Sequence, residues 1–128
     1  MQTFREFMQA REKAASSFAR GCPDEVLALT TTNQPASFFG PFGQTKEGPA
    51  AVRKYYEDVR DQFGNGGQGR LKILHLAESG DLAYWCGYQD GKIELEGKLV
   101  PTHLRVTELF RRENGDWKLV HRHADRPQ

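Results

Sequence analysis

The 128-residue sequence lacks several features that would assign it to a special class of protein. Its 18 basic and 17 acidic residues nearly cancel, so no charge excess indicates a nucleic-acid or anionic-membrane partner. No apolar run is long enough to cross a bilayer, and the charged amino terminus does not resemble a signal peptide. The two cysteines, Cys22 and Cys86, form no CxxC motif and no disulfide framework, which predicts free thiols in a reducing compartment. We therefore expect a cytoplasmic protein with neither a nucleic-acid nor a membrane partner.

The first half of the sequence has the apolar spacing of amphipathic helices. One helix is predicted from about residue 4 to Gly21, since glycine commonly ends a helix. A second, short helix is predicted to begin at Pro23 and a third at Pro49, because proline suits the first helical position. Residues 36–39 are expected to form a short strand between the second and third helices.

From Arg70 onward the apolar period becomes that of strands, and four antiparallel strands are predicted over residues 71–77, 82–95, 102–112 and 117–124. The pair Asp90-Gly91 is interpreted as a β-bulge within one long strand rather than as a hairpin turn. The pair Asn114-Gly115 is the strongest hairpin signal of the chain. Helices followed by antiparallel strands predict an α+β fold, and no linker divides residues 1–128, which we interpret as one domain.

Three groups able to exchange protons close the last strand. Simple alternation from Trp117 puts His121, His123 and Asp125 on one face, which predicts a pocket wall that is dry at one end and wet at the other. Histidine can act as acid, base or donor near neutral pH, and Asp125 could orient an imidazole or bind a hydroxyl group. The alternative is that the histidines are structural groups near a dimer face. Because no further ligand cluster accompanies them, neither a metal nor another cofactor is expected.

The order of elements and the carboxyl-terminal strand pair resemble the SnoaL-like branch of the nuclear transport factor 2-like superfamily. The matching motifs are Arg105-x-Thr107, Gly115-x-Trp117 and His121-x-His123-x-Asp125. The resemblance spans nearly the whole chain. It implies three amino-terminal helices packed in a strongly curved antiparallel sheet that forms a cone with a pocket. It also implies a homodimer through the outer sheet face.

The resemblance further implies that Arg105 points into the pocket. A buried guanidinium needs a partner, and the candidates are Asp125 in a structural ion pair or a carboxylate or enolate of a ligand. Tyr56 and Trp85 join the pocket prediction because their polar hydrogens need acceptors. The predicted site therefore comprises two catalytic residues and four ligand-binding residues: His123 and Asp125, with Arg105, His121, Tyr56 and Trp85.

Two functional hypotheses remain open, since the superfamily includes isomerases, cyclases, dehydratases and assembly modules on one scaffold. Ketosteroid isomerase uses an aspartate base after the second helix, but residues 30–45 contain no Asp or Glu, so that mechanism is not expected here. The first hypothesis is a proton-transfer enzyme for a small hydrophobic carbonyl compound, with His123 or Asp125 as acid or base and Arg105 stabilising an oxyanion. The second is a non-catalytic dimeric module for ligand binding or assembly.

Overall fold

The computed structural model describes residues 2–128 and confirms the predicted α+β class. Its helices are α1 (Phe4–Ala19), α2 (Asp24–Leu29) and α3 (Pro49–Glu57), and a 3-10 turn (Asp58–Asp61) follows α3. Its strands are β1 (Ser37–Phe39), β2 (Thr45–Glu47), β3 (Gln68–Ser79), β4 (Leu82–Leu95), β5 (Lys98–Glu113) and β6 (Asp116–Asp125). Within the described residues, no helix has the length and apolar character needed to cross a membrane.

The strands form one curved, unclosed sheet in the order β2-β1-β6-β5-β4-β3. The four long strands pair antiparallel, as predicted, while β1 joins β6 in parallel and β2 pairs only with β1. The predicted Asn114-Gly115 hairpin is confirmed, since both residues have positive φ, 50° and 86°, as a type I′ turn requires.

Strand β4 is one continuous strand, but the bulge predicted at Asp90-Gly91 is wrong. Its pairing with both neighbours runs through these residues without a shift, and the shift lies instead in β3, at Leu74. A glycine stands at position 91 because a Cβ atom there would lie 2.0 Å from the carbonyl oxygen of Gln68. The glycine therefore permits close approach of two strands and does not mark an extra residue.

Helix α1 covers one face of the sheet. It begins at Thr3, whose side chain accepts a hydrogen bond from the backbone N–H of Glu6 at 3.1 Å. The ring of Phe4 then packs against Phe110 of β5 and Trp117 of β6, with centroids 5.1 Å and 5.5 Å apart. We call the face in contact with α1 the inner face of the sheet, and the opposite face the outer face.

Helix α3 closes the space between α1 and strand β1. It begins at Pro49, as predicted, and buries Val52 and Tyr56. The ring of Tyr56 packs edge-on against Phe18 of α1, at 5.7 Å, and against Phe38 of β1, at 5.9 Å. This packing holds the Tyr56 hydroxyl group inside the protein.

Candidate functional site

Strand β6 changes face at Val120. On β5, Phe110 pairs with Leu119 while its neighbour Leu109 pairs with His121, so Val120 is an extra residue, a β-bulge. Because side chains alternate along a strand, one extra residue moves every later side chain to the opposite face.

The bulge overturns the predicted pocket wall. Trp117 is buried on the inner face, but the three polar residues beyond the bulge lie on the outer face: His121, His123 and Asp125. The prediction that these four residues share one face is therefore wrong. The functional roles given to the three polar residues stay predictions.

Arg105 also lies on the outer face, so the expectation that it points inward is wrong. The inner positions of β5 are occupied by its buried neighbours Val106 and Phe110, with which Arg105 is out of phase. Its guanidinium makes a two-pronged ion pair with Asp125, with Nε–Oδ1 and Nη2–Oδ2 distances of 2.7 Å. Hydrogen bonding to Arg105 holds the pKa of Asp125 below its usual value. Of the two partners predicted for Arg105, the structure shows Asp125 in an ion pair. Both oxygens of the Asp125 carboxylate therefore already accept a hydrogen bond.

A shallow groove of about 300 Å³ brings three of the predicted residues together on the outer face. Arg105, His123 and Asp125 line it, along with Cys86 and Tyr88. His123 is exposed, and its ring packs edge-on against Phe39, 5.4 Å away. The groove is therefore an open, mixed polar and aromatic surface.

His121 lies beside this groove and is held by β1. Its Nδ1 atom is 2.7 Å from the hydroxyl oxygen of Ser37, and its ring packs against Phe39 at 4.9 Å. Burial, together with the nearby His123, lowers the pKa of His121. The neutral imidazole is consequently favoured, and one of its nitrogens is already engaged.

The inner face carries a different polar cluster, centred on Glu108 of β5. Arg11 of α1 donates to both carboxylate oxygens, from Nε to Oε1 and from Nη2 to Oε2, each at 2.8 Å. Arg122 of β6 donates from Nη1 to Oε2 at 2.8 Å, and Trp85 of β4 donates from Nε1 to Oε1 at 2.7 Å. All four side chains are buried, so α1 and three strands meet at one carboxylate. We call these four residues the inner cluster.

The electrostatics of the inner cluster fix its protonation. Burial raises the pKa of Glu108, but the charges and hydrogen bonds of Arg11 and Arg122 outweigh burial and lower it to about 2. For Arg11, burial lowers the pKa, but the charge and hydrogen bonds of Glu108 more than offset burial, so the pKa is raised. Glu108 is therefore ionised at neutral pH and accepts four hydrogen bonds, which makes it a poor proton acceptor.

Tyr56 adjoins the inner cluster, near enough to Arg122, Glu108 and Arg11 that each affects its pKa. Burial raises the pKa of Tyr56 to about 12, so its hydroxyl group stays protonated. Within residues 2–128, neither Tyr56 Oη nor Arg11 Nη1 has a hydrogen-bond partner, although both atoms are buried. We call these two atoms the orphan donors. Of the residues predicted for the site, Tyr56 and Trp85 thus lie inside the sheet, and the other four lie outside it.

Sequence reasoning missed Arg11, Glu108 and Arg122, although two of them left a signal. Glu108 stands between Val106 and Phe110 in the apolar phase of β5, where an acid is out of place unless it is paired. Arg11 falls four residues after Phe7, on the apolar stripe of α1. Only the bulge brings Arg122 inward, and simple alternation gives no sign of it.

Comparison with known families decides the identity of the fold. The sequence profile of the SnoaL-like domain matches residues 8–125. The chain belongs to the SnoaL-like domain family. Among functionally curated proteins, none matches the sequence significantly.

Solved structures resemble this SnoaL-like domain over nearly its full length. A candidate dehydratase of the NTF2-like family from Streptomyces avermitilis has a TM-score of 0.80 at 20% identity, covering 97% of this chain and 95% of that chain. A candidate calcium/calmodulin-dependent protein kinase type II association domain from Thiobacillus denitrificans has a TM-score of 0.75 at 19% identity, covering 100% and 98%. A candidate ketosteroid isomerase from Parabacteroides distasonis has a TM-score of 0.72 at 20% identity, covering 99% and 90%. At these identities the likeness shows the fold alone, so function must be argued from the side chains.

Proposed function

We propose that this SnoaL-like domain binds a small molecule on the inner side of its sheet, with an oxygen acceptor of that molecule facing the orphan donors. The observation that carries the proposal is that Arg11 Nη1 and Tyr56 Oη are buried and lack a partner within residues 2–128. Buried polar groups in proteins nearly always have partners, and an unsatisfied one costs about 1–3 kcal/mol. A ligand that supplies the acceptor would remove that cost.

Aromatic rings beside the orphan donors suit a ligand with an apolar body. Tyr56 contacts Phe18, Phe38 and Tyr55, and Phe18 also packs against Phe63. Apolar and aromatic walls with a few polar groups are typical of small-molecule sites. This composition supports a ligand that combines a hydrophobic body with one acceptor group.

The chemistry of the inner side favours binding over proton transfer. Glu108 is ionised and fully hydrogen-bonded, and Tyr56 keeps its proton. His123 and Asp125 lie on the outer face, across the sheet from the orphan donors. The inner side thus offers donors and a positive field, which stabilise an oxygen atom but do not abstract a proton.

The test uses benzamide, a neutral aromatic molecule with one carbonyl acceptor, and the indole N–H signals of Trp85 and Trp117 in ¹H–¹⁵N spectra. Because Trp85 donates to Glu108, we expect its signal to shift on titration. The Trp117 indole N–H is also buried without a partner within residues 2–128, so a shift of Trp117 and not of Trp85 would place the ligand at a different point of the inner face. Tyr56→Phe should weaken binding about fivefold, since one hydrogen bond is worth about 1 kcal/mol.

Tyr84→Phe is the matched control, because this tyrosine lies on the outer face and its hydroxyl group is within hydrogen-bonding distance of His75. We expect it to bind benzamide as the wild type does. An unmoved Trp85 signal, or equal binding by Tyr56→Phe and wild type, would contradict the proposal.

A second candidate function, self-association through the outer face, is favoured by a separate observation. Large apolar side chains on that face are exposed to solvent: Phe39, Leu74, Leu82 and Leu109. Four strands of about ten residues cover on the order of 600 Å², which approaches the roughly 800 Å² that each partner contributes to a standard interface. A second copy of the chain would cover this surface and also close the groove.

Sedimentation velocity tests the self-association. Leu109 is central to the outer face, so Leu109→Glu should convert a dimer into a monomer by burying a charge at the interface. Phe42→Glu is the control, because Phe42 is 70% exposed in the turn between β1 and β2. A wild-type protein that sediments as a monomer, or a dimer that tolerates Leu109→Glu, would rule out this assignment.

A further inference from the structure

The inner cluster is not electrically balanced. It contains two guanidinium groups, Arg11 and Arg122, and one carboxylate, Glu108, and all three are buried. The net charge of these groups is therefore +1, at a place where the side chains are at most 8% exposed and water screens charge poorly. Burying an uncompensated charge is expensive, so such a cluster calls for an anion.

The neighbouring groups that act on the cluster do not supply that anion. Burial raises the pKa of Tyr56 to about 12, so its phenol is neutral at physiological pH. Burial also raises the pKa of Tyr55, the preceding residue of α3, so this phenol is neutral as well. Glu108 and Tyr56 are the two groups that raise the pKa of Arg11, and Glu108 is already counted in the balance.

We propose that the ligand of this site carries one carboxylate group, which completes the inner cluster as its missing counter-ion. This inference rests on the proposed function and specifies the chemical class of the ligand. Arg11 Nη1 and Tyr56 Oη donate to the carboxylate oxygens, which makes hydrogen bonds stronger than those to a neutral carbonyl. One negative charge brings the cluster to neutrality, whereas a phosphate dianion would leave a buried negative charge.

A surface hollow lined by Tyr55, the neighbour of Tyr56, has the sign that an anionic ligand requires. It has a volume of about 170 Å³ and is lined by Lys46, Lys54, Tyr55 and Asp58, a net charge of +1 from two lysines and one aspartate. Tyr55 lines this hollow, and its ring centroid lies 5.9 Å from that of Tyr56, the residue that carries one of the orphan donors. A positive surface at this point attracts anions and raises their local concentration.

Benzoate and benzamide test the inference, because they share a shape and differ in charge. Titrations monitored by the Trp85 indole signal should give benzoate a dissociation constant at least about tenfold lower than that of benzamide. The expected factor reflects the greater strength of charge-assisted hydrogen bonds. Inorganic phosphate should bind more weakly than benzoate.

Arg122→Gln isolates the role of charge. The substitution removes one positive charge, keeps a hydrogen-bond donor for Glu108 and leaves both orphan donors in place. We expect it to abolish the preference for benzoate over benzamide. Arg105→Gln is the matched control, since this arginine is paired on the outer face, and it should leave the preference unchanged.

The outcomes separate this inference from the proposed function. Equal affinities for benzoate and benzamide in the wild-type protein would overturn the carboxylate assignment and leave the binding site standing. If neither probe moved the Trp85 signal, both proposals would fall. Should Arg122→Gln not fold, the wild-type ranking of benzoate, benzamide and phosphate decides the question alone, and phosphate bound as tightly as benzoate would overturn the inference.

Discussion

Glu108→Gln is the sharpest perturbation of the inner cluster. The substitution keeps the shape of the side chain but removes the charge that two buried guanidinium groups share. It also replaces one acceptor oxygen with an NH₂ group, which then faces a donor. The folded protein is left with Arg11 and Arg122 buried without a counter-ion, and the indole N–H of Trp85 competes for a single oxygen.

The expected cost follows from the burial of these groups. Removing one partner of a buried ion pair typically destabilises a protein by about 3–5 kcal/mol, because an uncompensated charge remains. For a chain of this size, each kcal/mol lowers Tm by roughly 3–5 °C, so Tm should fall by at least about 10 °C. The measurements are thermal unfolding, which gives Tm, and urea unfolding, which gives the free energy of unfolding, both at pH 7 and followed by tryptophan fluorescence and circular dichroism.

Asp125→Asn is the matched control. Its ion pair with Arg105 has the same two-pronged geometry as the pair between Arg11 and Glu108, but the Asp125 side chain is 47% exposed. Solvent replaces the lost interaction at such a site, so we expect only a small change in stability. If Glu108→Gln lowered the free energy of unfolding no more than Asp125→Asn does, burial would not be the source of the stabilisation, and the reasoning would fail.

Three further predictions follow from the protonation and burial of individual groups. The fold lowers the pKa of Glu108 from 4.5 to about 2, so the ionised carboxylate stabilises the folded protein above pH 4.5 by on the order of 3 kcal/mol. In acid titrations of the wild type, this contribution should be lost as the pH falls from 4.5 to about 2. The same titration of Glu108→Gln should not show this loss. In urea unfolding, ligand-free Tyr56→Phe should be as stable as the wild type or slightly more stable, because the substitution removes a buried hydroxyl group without a partner in residues 2–128. If the free energy of unfolding fell by more than about 1 kcal/mol, the hydroxyl group would have to have an acceptor. Any dimer formed through the outer face should weaken on acidification, because His121 lies on that face and its protonation would place a charge in the interface. Burial holds the pKa of His121 below its ordinary value, so the dimer should persist at neutral pH. A sedimentation coefficient that stays unchanged on acidification would contradict this.

The sequence was sufficient for the order of helices and long strands because each element carries its own local signal. Pro49 begins α3, and Asn114-Gly115 makes the β5–β6 turn. Strand β2 (Thr45–Glu47) escaped prediction, because three residues are too few to show a period and its pairing partner is the equally short β1. The β3 bulge at Leu74 left no sign in a run where residues on both faces are apolar.

The candidate site was harder to predict, because a strand residue belongs to the site only if its side chain lies on the correct face of the sheet. The sequence prediction continued the alternation from Trp117 to the end of β6 without allowing for the extra residue Val120. It therefore assigned the wrong face to the residues after Val120. Ala124 pointed to the correct face. It is a small apolar residue that alternates with His123 and Asp125, and it is fully buried in the structure, as an inward position requires. Glu108 was visible in the sequence as an acid in an apolar phase, yet its two partners come from α1 and β6, and only the tertiary structure joins them.

Val120 also bears on how such a domain could change during evolution. Deleting this residue would leave His121 on the outer face, because Leu119 and His121 already pair with consecutive residues of β5. Pairing Val120 with Leu109 would instead flatten the bulge, turn His121, His123 and Asp125 toward α1 and send Arg122 to the exterior. The same stretch of chain therefore carries two sets of chemical groups, and the presence or absence of the bulge selects which set lies on the inner face. Two domains of this family could therefore differ in the groups they present inward through a change of strand register at this point, without replacement of the reactive residues themselves.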